Sequence, residues 1–428
     1  MDLFEHSIGK TVNKKPKVSK MALVSIATIP LIMTLGNSML IPILPLLEIQ
    51  LEITKLQSSY IIMVYSIVAI FLIPVAGFLS DKYGRKVVIV PSLILAGLGG
   101  LICAWAAWKL DPSPAFIWII IGRILQGVGA AGAFPIVIPL VGDLYKDEHE
   151  VSTSLGIIET SNTFGKVLSP IVGSFFAGII WFFPFWSIPM FCLISLILII
   201  IFVRKPKGDE EPLSFRKFTK NTKEIFKEHK KWLFAVFIIG AIAMFILFGL
   251  LFYLSSILED KYGYDGLKKG FLLAIPLAAL CVASFTTGKM IKDNLSRMKW
   301  ITFFSILLTG AMVGLTLISD KFVFLIVIFL ISGIGIGAAL PCLDAIITQS
   351  IDKEMRGTIT SIFSAMRFAG VAAGPPIVAI LMQDKIIDMV LVLGVLSIIA
   401  ALLALKAIKP NDKKENDKTK VELKLQIE

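Results

Sequence analysis

The sequence predicts an all-α membrane protein, with twelve transmembrane helices in two six-helix halves related by a pseudo-twofold axis. Three observations predict it. The 428 residues are 56% hydrophobic and only 17% charged, with a mean hydropathy of +0.84, far from the composition of a soluble domain. The charges gather between twelve apolar runs, most of them near the roughly 20 residues that cross a hydrocarbon layer of about 30 Å. The last six runs repeat features of the first six at matching places, as in membrane proteins built from internal repeats.

Residues 1–20 form a lysine-rich polar tail. The first half, 21–203, holds runs at about Met21–Leu47, Leu56–Ala76, Val87–Trp108, Ala115–Val141, Ser152–Ile180 and Phe185–Val203. Residues 204–231 form a charged central loop in which Phe215, Phe218, Ile225 and Phe226 recur near helical spacing. That pattern fits either a connector lying on an anionic leaflet or a solvated linker. The second half, 232–405, holds runs at about Trp232–Ile257, Gly270–Gly288, Trp300–Ile318, Phe322–Ile347, Thr358–Met382 and Ile386–Leu405, and 406–428 is a charged tail. About 32 of the 42 Lys and Arg fall in the tails, the central loop and the loops on their side. The positive-inside rule therefore places both termini in the cytoplasm of a multi-pass cell-membrane protein. The same asymmetry accounts for the net charge of +11 without a nucleic-acid partner. The four cysteines lie inside apolar runs without paired spacing and read as packing residues. Three histidines in polar segments (His6, His149, His229) and no nucleophile or metal constellation speak against an enzyme.

Between the second and third runs lies Gly77-Phe78-Leu79-Ser80-Asp81-Lys82-Tyr83-Gly84-Arg85-Lys86. Gly77 and Gly84 are expected to allow tight bends and close helix approach, with the charges at headgroup level. These residues resemble motif A of the major facilitator superfamily, Gly-x-x-x-Asp-x-x-Gly-Arg-Lys, at all five positions. The resemblance implies that Asp143 pairs with Arg85 and that Asp81 meets the positive end of a neighbouring helix, together latching the cytoplasmic side. Asp143 as an ordinary solvated charge is the alternative. A degraded copy with Asp293 and Arg297 follows Gly288 in the second half.

The fourth run carries Gly122-Arg123-Ile124-Leu125-Gln126-Gly127, similar to the superfamily's motif B. Counted from Ala115, Arg123 lies about 12 Å deep, where a bare guanidinium is costly. The resemblance gives it a part in proton coupling; anchoring to neighbouring carbonyls is the alternative. In the fifth run Glu159 and Lys166 stand two turns apart on one face, expected to line an aqueous cavity or to pair with Arg123 or Arg367. Glu159, the one acid placed well inside a span, is the expected proton carrier, against a static ion pair that fixes packing. Gly165, Ser169, Pro170 and Gly173 resemble motif C, a mark of exporters, with serine at Ser169 and Ser174 where the pattern has glycine. Gly370, Gly374 and Pro375 repeat it in the eleventh run.

Asn37 and Asn162 are candidate cavity residues, as are Phe245, Phe248 and Phe252, a stripe suited to flat apolar cations or aromatics or simply to packing. Asp344 reads as an interfacial residue. The chain thus resembles the twelve-span drug–proton antiporters, implying a monomer in the lipid bilayer that exports amphipathic small molecules, with protons as coupling ion and no other cofactor. A dedicated exporter of one metabolite such as a siderophore, an uptake symporter and a non-transporting sensor are the other readings.

Overall fold

The computed structural model describes residues 19–145, 148–203, 215–291, 294–319, 321–351, 353–384 and 386–408. Every regular element among them is helical, as a backbone in lipid requires, because each N–H and C=O must be satisfied within its own segment. The first half contains α1 (Lys20–Ser38), a 3₁₀ turn (Ile41–Ile43), α2 (Leu44–Leu51), α3 (Lys55–Tyr83), α4 (Arg85–Lys109), α5 (Pro112–Ala133), α6 (Val137–Leu144), α7 (Glu148–Ile179) and α8 (Phe183–Phe202). The second contains α9 (Phe215–Asp260), α10 (Gly266–Ile291), α11 (Leu295–Leu315), α12 (Phe322–Ser350), α13 (Lys353–Asp384) and α14 (Ile386–Ala407).

Eleven helical segments among the described residues are long and apolar enough to cross a membrane, α1 with α2 and α5 with α6 each counting as one. The exception is α7, which has the length (32 residues) but carries Glu159 and Lys166. Several boundaries differ from the sequence expectation. The first run breaks around Pro42 and Pro45, and the fourth around Pro135, since proline lacks the N–H that would continue a helix. The glycine-bracketed turn is shorter than expected, because α3 runs through Gly77 to Tyr83 and only Gly84 is non-helical, at φ +100° and ψ 143°. Gly77 permits no close approach here, as a Cβ would meet nothing within 4 Å. The described part of the central loop, 215–231, does not form a separate connector but belongs to the 46-residue α9. Residues 204–214 and Asp293 lie outside the described residues.

The two halves pack by the same scheme. In the first, α1 packs on α7 and α8, α5 on α3 and α4, and α4 on α8; in the second, α9 packs on α13 and α14, α12 on α10 and α11, and α11 on α14. Small residues set these approaches. A Cβ on Gly127 would lie 2.6 Å from the Tyr65 carbonyl oxygen, and one on Gly374 2.6 Å from that of Phe245. Cβ atoms on Gly173 and Gly370 would collide with the carbonyl oxygens of Met39 and Ala241. The halves meet through α3 against α13 and α7 against α10.

At the face opposite Gly84 the halves are sealed together. Lys55 of α3 pairs with Asp260 at the end of α9, and the Ser255 hydroxyl donates to the Ile41 carbonyl at 2.9 Å. Lys269, 1% exposed, pairs with Glu259 at 2.7 Å, and Glu48 accepts from Ser58 at 2.7 Å. Beneath this rim, Ile41 and Pro42 face Phe248, Leu251 and Leu277 around a cavity of about 10 Å³, room for roughly one water.

Two predictions follow from these contacts. Gly84→Ala should lower the melting temperature of the purified protein, reflecting about 1–3 kcal/mol of backbone strain, whereas Gly77→Ala, mid-helix and unhindered, should leave it unchanged or raise it. Equal effects would remove the distinction between the two glycines. Lys55–Asp260 is solvent-accessible and worth at most about 1 kcal/mol, so Asp260→Asn should speed maleimide labelling of a Leu251→Cys variant by up to about five-fold. No change in rate would mean that the pair does not hold the seal.

Candidate functional site

Two groups of polar side chains interrupt the apolar interior. The first surrounds Arg123. Because α5 starts at Pro112, not Ala115, Arg123 lies eleven residues along it, about 17 Å from its start, and is fully buried. Its Nε donates to the Ile61 carbonyl at 2.7 Å, one terminal nitrogen to the Gln126 side-chain oxygen at 2.6 Å, and the other to that of Asn37. The Tyr65 ring lies 4.6 Å from the guanidinium carbon. A guanidinium offers five donors in a fixed fork, and here neutral acceptors on α1, α3 and α5 take three of them, one from each nitrogen. Among the described residues no carboxylate bonds Arg123, so the expected pairing with Glu159 is replaced by a neutral cage. Asn37, expected to face a cavity, is buried with its oxygen committed to this cage.

The second group joins the halves. On α7, Glu159, Asn162 and Lys166 share a face. Asn162 donates to Glu159 at 3.1 Å and accepts from Thr34 of α1 at 2.6 Å. Arg367 of α13 pairs with Asp344 of α12 at 3.5 Å and lies over the Phe363 ring at 5.7 Å. The charges of Lys166, Arg367, Glu159 and Asp344 interact with one another. Asp344 therefore belongs to this interior group, not to the interface as its position near a helix end implied. Sequence spacing could not reveal this, because its partner lies on another helix. Glu159 is exposed and the Asp344 side chain is 34% exposed. Both acids are therefore accessible from the surface of the protein. Lys166, by contrast, is 7% exposed and lines the small cavity under the seal.

Other candidate residues are structural in this conformation. The Ser169 hydroxyl donates to the Lys166 carbonyl at 2.7 Å. The Pro170 carbonyl faces Gly270 of α10, where a Cβ would lie 2.6 Å from it, so this residue sits where the halves touch. A Cβ on Gly165 would lie 2.9 Å from the Leu31 carbonyl oxygen, and Pro375 lies within α13. Of the phenylalanine stripe only Phe248 faces the cavity. Phe252 is fully packed, and Phe245 lies against Gly370 and Gly374.

At the Gly84 turn, Arg85 pairs with Asp81, donates to Ser80 at 2.7 Å and reaches Asp143 at 3.1 Å. All these partners belong to the first half, so Arg85 ties the ends of α3, α4 and α6 into one body. Lys86 donates to the carbonyls of Ile200 at 3.1 Å and Val203 at 2.5 Å, capping the C-terminal end of α8, where a cation is favoured. Nothing in the sequence singled out that contact. In the second half, Arg297 donates to the Met290 carbonyl at 2.6 Å.

Comparison with known proteins agrees with this architecture. The family described as Major Facilitator Superfamily matches residues 26–375 and 299–427. The chain is 49% identical to the Bacillibactin exporter of Bacillus subtilis (strain 168) over 364 residues, 85% of this chain and 90% of that one. It is 22% identical to Multidrug resistance protein 1 of the same organism, over 78% of this chain and 83% of that one. Among solved structures, a bacterial homolog of the human lysosomal transporter Spinster, inward-facing and occupied, superimposes with a TM-score of 0.75 at 14% identity, over 92% of this chain and 97% of that one. With the family matched over most of its length and a relative this similar, the chain belongs to the Major Facilitator Superfamily, as a multi-pass membrane transporter.

Proposed function

We propose that this chain is a dedicated exporter of a siderophore, working as a proton antiporter in the plasma membrane of a bacterium. The observation that carries the reading is the 49% identity with the Bacillibactin exporter over 90% of that protein. Counting α7 as a twelfth span completes two six-helix halves, and their matching packing partners support a pseudo-twofold relation. With the termini in the cytoplasm, the Gly84 face is the inner one and the Lys55–Asp260 seal the outer one. The conformation is then inward-facing, and the transporter acts as a monomer.

In this reading Glu159 is the proton carrier. It takes a proton while the halves open outward and releases it to the cytoplasm in the conformation described, where it is exposed. The siderophore loads from the same side, and the halves then rock about the α3–α13 and α7–α10 contacts. Arg123 serves the movement by fastening α1, α3 and α5 to one another. A ligand shifts such an equilibrium only through its different affinity for the two states.

Export of several amphipathic drugs is the second reading, supported by the resemblance to drug antiporters and the 22% identity with Multidrug resistance protein 1. Deleting the gene separates the two. Under iron limitation the deletion strain should release several-fold less iron-binding activity into the medium, with unchanged drug susceptibility. Normal release with increased susceptibility would favour the drug exporter. In inside-out vesicles, Glu159→Gln should abolish accumulation driven by an imposed pH gradient while sparing downhill exchange. Gradient-driven uptake at the wild-type rate would remove Glu159 from the coupling.

A further inference from the structure

A buried ammonium group needs an anion, a set of acceptors or water, and Lys166 lacks the first two in this conformation. It is 7% exposed, and among the described residues its side chain makes no hydrogen bond and no ion pair within 4 Å. Glu159 and Asp344 act on it only at longer range. Glu159, seven residues away on the same helix, is displaced by about 10 Å along the axis and bonded to Asn162. Arg367 is nearly as free. Its one polar contact among the described residues is Asp344 at 3.5 Å, beyond the usual length for such a bond, so most of its five donors remain uncommitted. Lys166 belongs to α7 of the first half and Arg367 to α13 of the second.

We propose that Lys166 and Arg367 together form a seat for one acidic group of a small-molecule ligand, an anion held between a buried, unpaired ammonium group on one half and a guanidinium on the other. The inference rests on the transporter reading only in taking that ligand to be the cargo. The acidic group enters from the accessible side, on which Glu159 is exposed and Asp344 partly exposed. Asp344 competes with it for Arg367, and Glu159 repels it at the entrance. The rest of the ligand extends toward that side, since the cavity on the far side of Lys166 holds only about 10 Å³. A cationic ligand would instead be repelled by Lys166 and Arg367 and drawn to Glu159.

The test uses two probes of matched shape and opposite charge, 1-naphthoate and 1-naphthylmethylammonium, with the purified full-length protein in detergent and thermal stabilisation as the readout. Naphthoate should stabilise the protein and the ammonium probe should not. Lys166→Gln and Arg367→Gln should each weaken naphthoate binding about ten-fold or more, the scale of a lost charged hydrogen bond. Lys166→Arg should retain part of the binding, and Asp344→Asn should strengthen it. If Lys166→Gln fails to fold, the wild-type preference between the probes and the Arg367→Gln result decide. Equal binding of both probes, or preference for the cation with loss in Glu159→Gln, would overturn the seat. A deletion strain deficient in siderophore release alongside absent naphthoate binding removes the seat and leaves the export reading. Naphthoate binding with normal release does the reverse.

Discussion

No ionised group can be left bare where water is scarce, and that constraint sorts the interior charges of this chain into two kinds. Arg123 gives one hydrogen bond from each of its three nitrogens to a neutral acceptor within one half. Its cage therefore does not depend on how the halves are arranged and can travel with the first half as a unit. Lys166, Arg367, Glu159 and Asp344 are different. They come from three helices in two halves, so the distances of Lys166 and Glu159 from Arg367 and Asp344 depend on how the halves are arranged. The first kind of charge builds a rigid body. In the proposed transport cycle, the second would make the relative position of the halves sensitive to protons and charged ligands.

The same division appears in the packing. Within each half, backbone meets backbone at glycines such as Gly127 and Gly374, where any side chain would force the helices apart. Such contacts hold one geometry and resist sliding. Between the halves, α7 meets α10 where Gly270 faces the Pro170 carbonyl, one turn from Lys166. Proline removes a helix hydrogen bond at that level, so a close contact between the halves coincides with a missing backbone bond in α7. A change at Lys166 is thus adjacent to one of the contacts about which the halves turn in the proposed cycle.

The sequence showed most of the fold and about half of the site. Long apolar runs report spans directly, because lipid imposes length and composition together. Only α7 escapes that measure, and it does so by carrying Glu159 and Lys166, two of the four charges of the site. Short-range motifs were equally legible: Arg85 and Asp143 do approach each other, and Gly84 does occupy a backbone conformation suited to glycine. Contacts between distant helices were not legible. Asp344 and Arg367 lie on separate runs, and nothing in either segment states that their faces converge. Lys86 reaches the end of α8 for the same reason. Helical periodicity tells which residues share a face of one helix, but not which other helix that face will meet.

The seal has to be weak, and its construction is consistent with that. Reversing a two-state preference from 1:99 to 99:1 requires a difference in binding free energy of about 5.5 kcal/mol, which in the proposed cycle bounds what a bound proton and a small ligand would have to overcome. A rim of deeply buried, multiply bonded ion pairs between the halves would exceed what they can reverse. Instead, the ion pair that spans the halves, Lys55–Asp260, is half-exposed and worth little in water. The more buried one, Lys269–Glu259, lies within the second half and does not depend on the contact between the halves. The apolar layer below leaves a void of about 10 Å³ around Lys166, so the packing there is incomplete at the level of the unpaired charge. In the proposed cycle, closure at this face would thus rest on contacts weak enough to be undone by a change of one charge at the cavity beneath it.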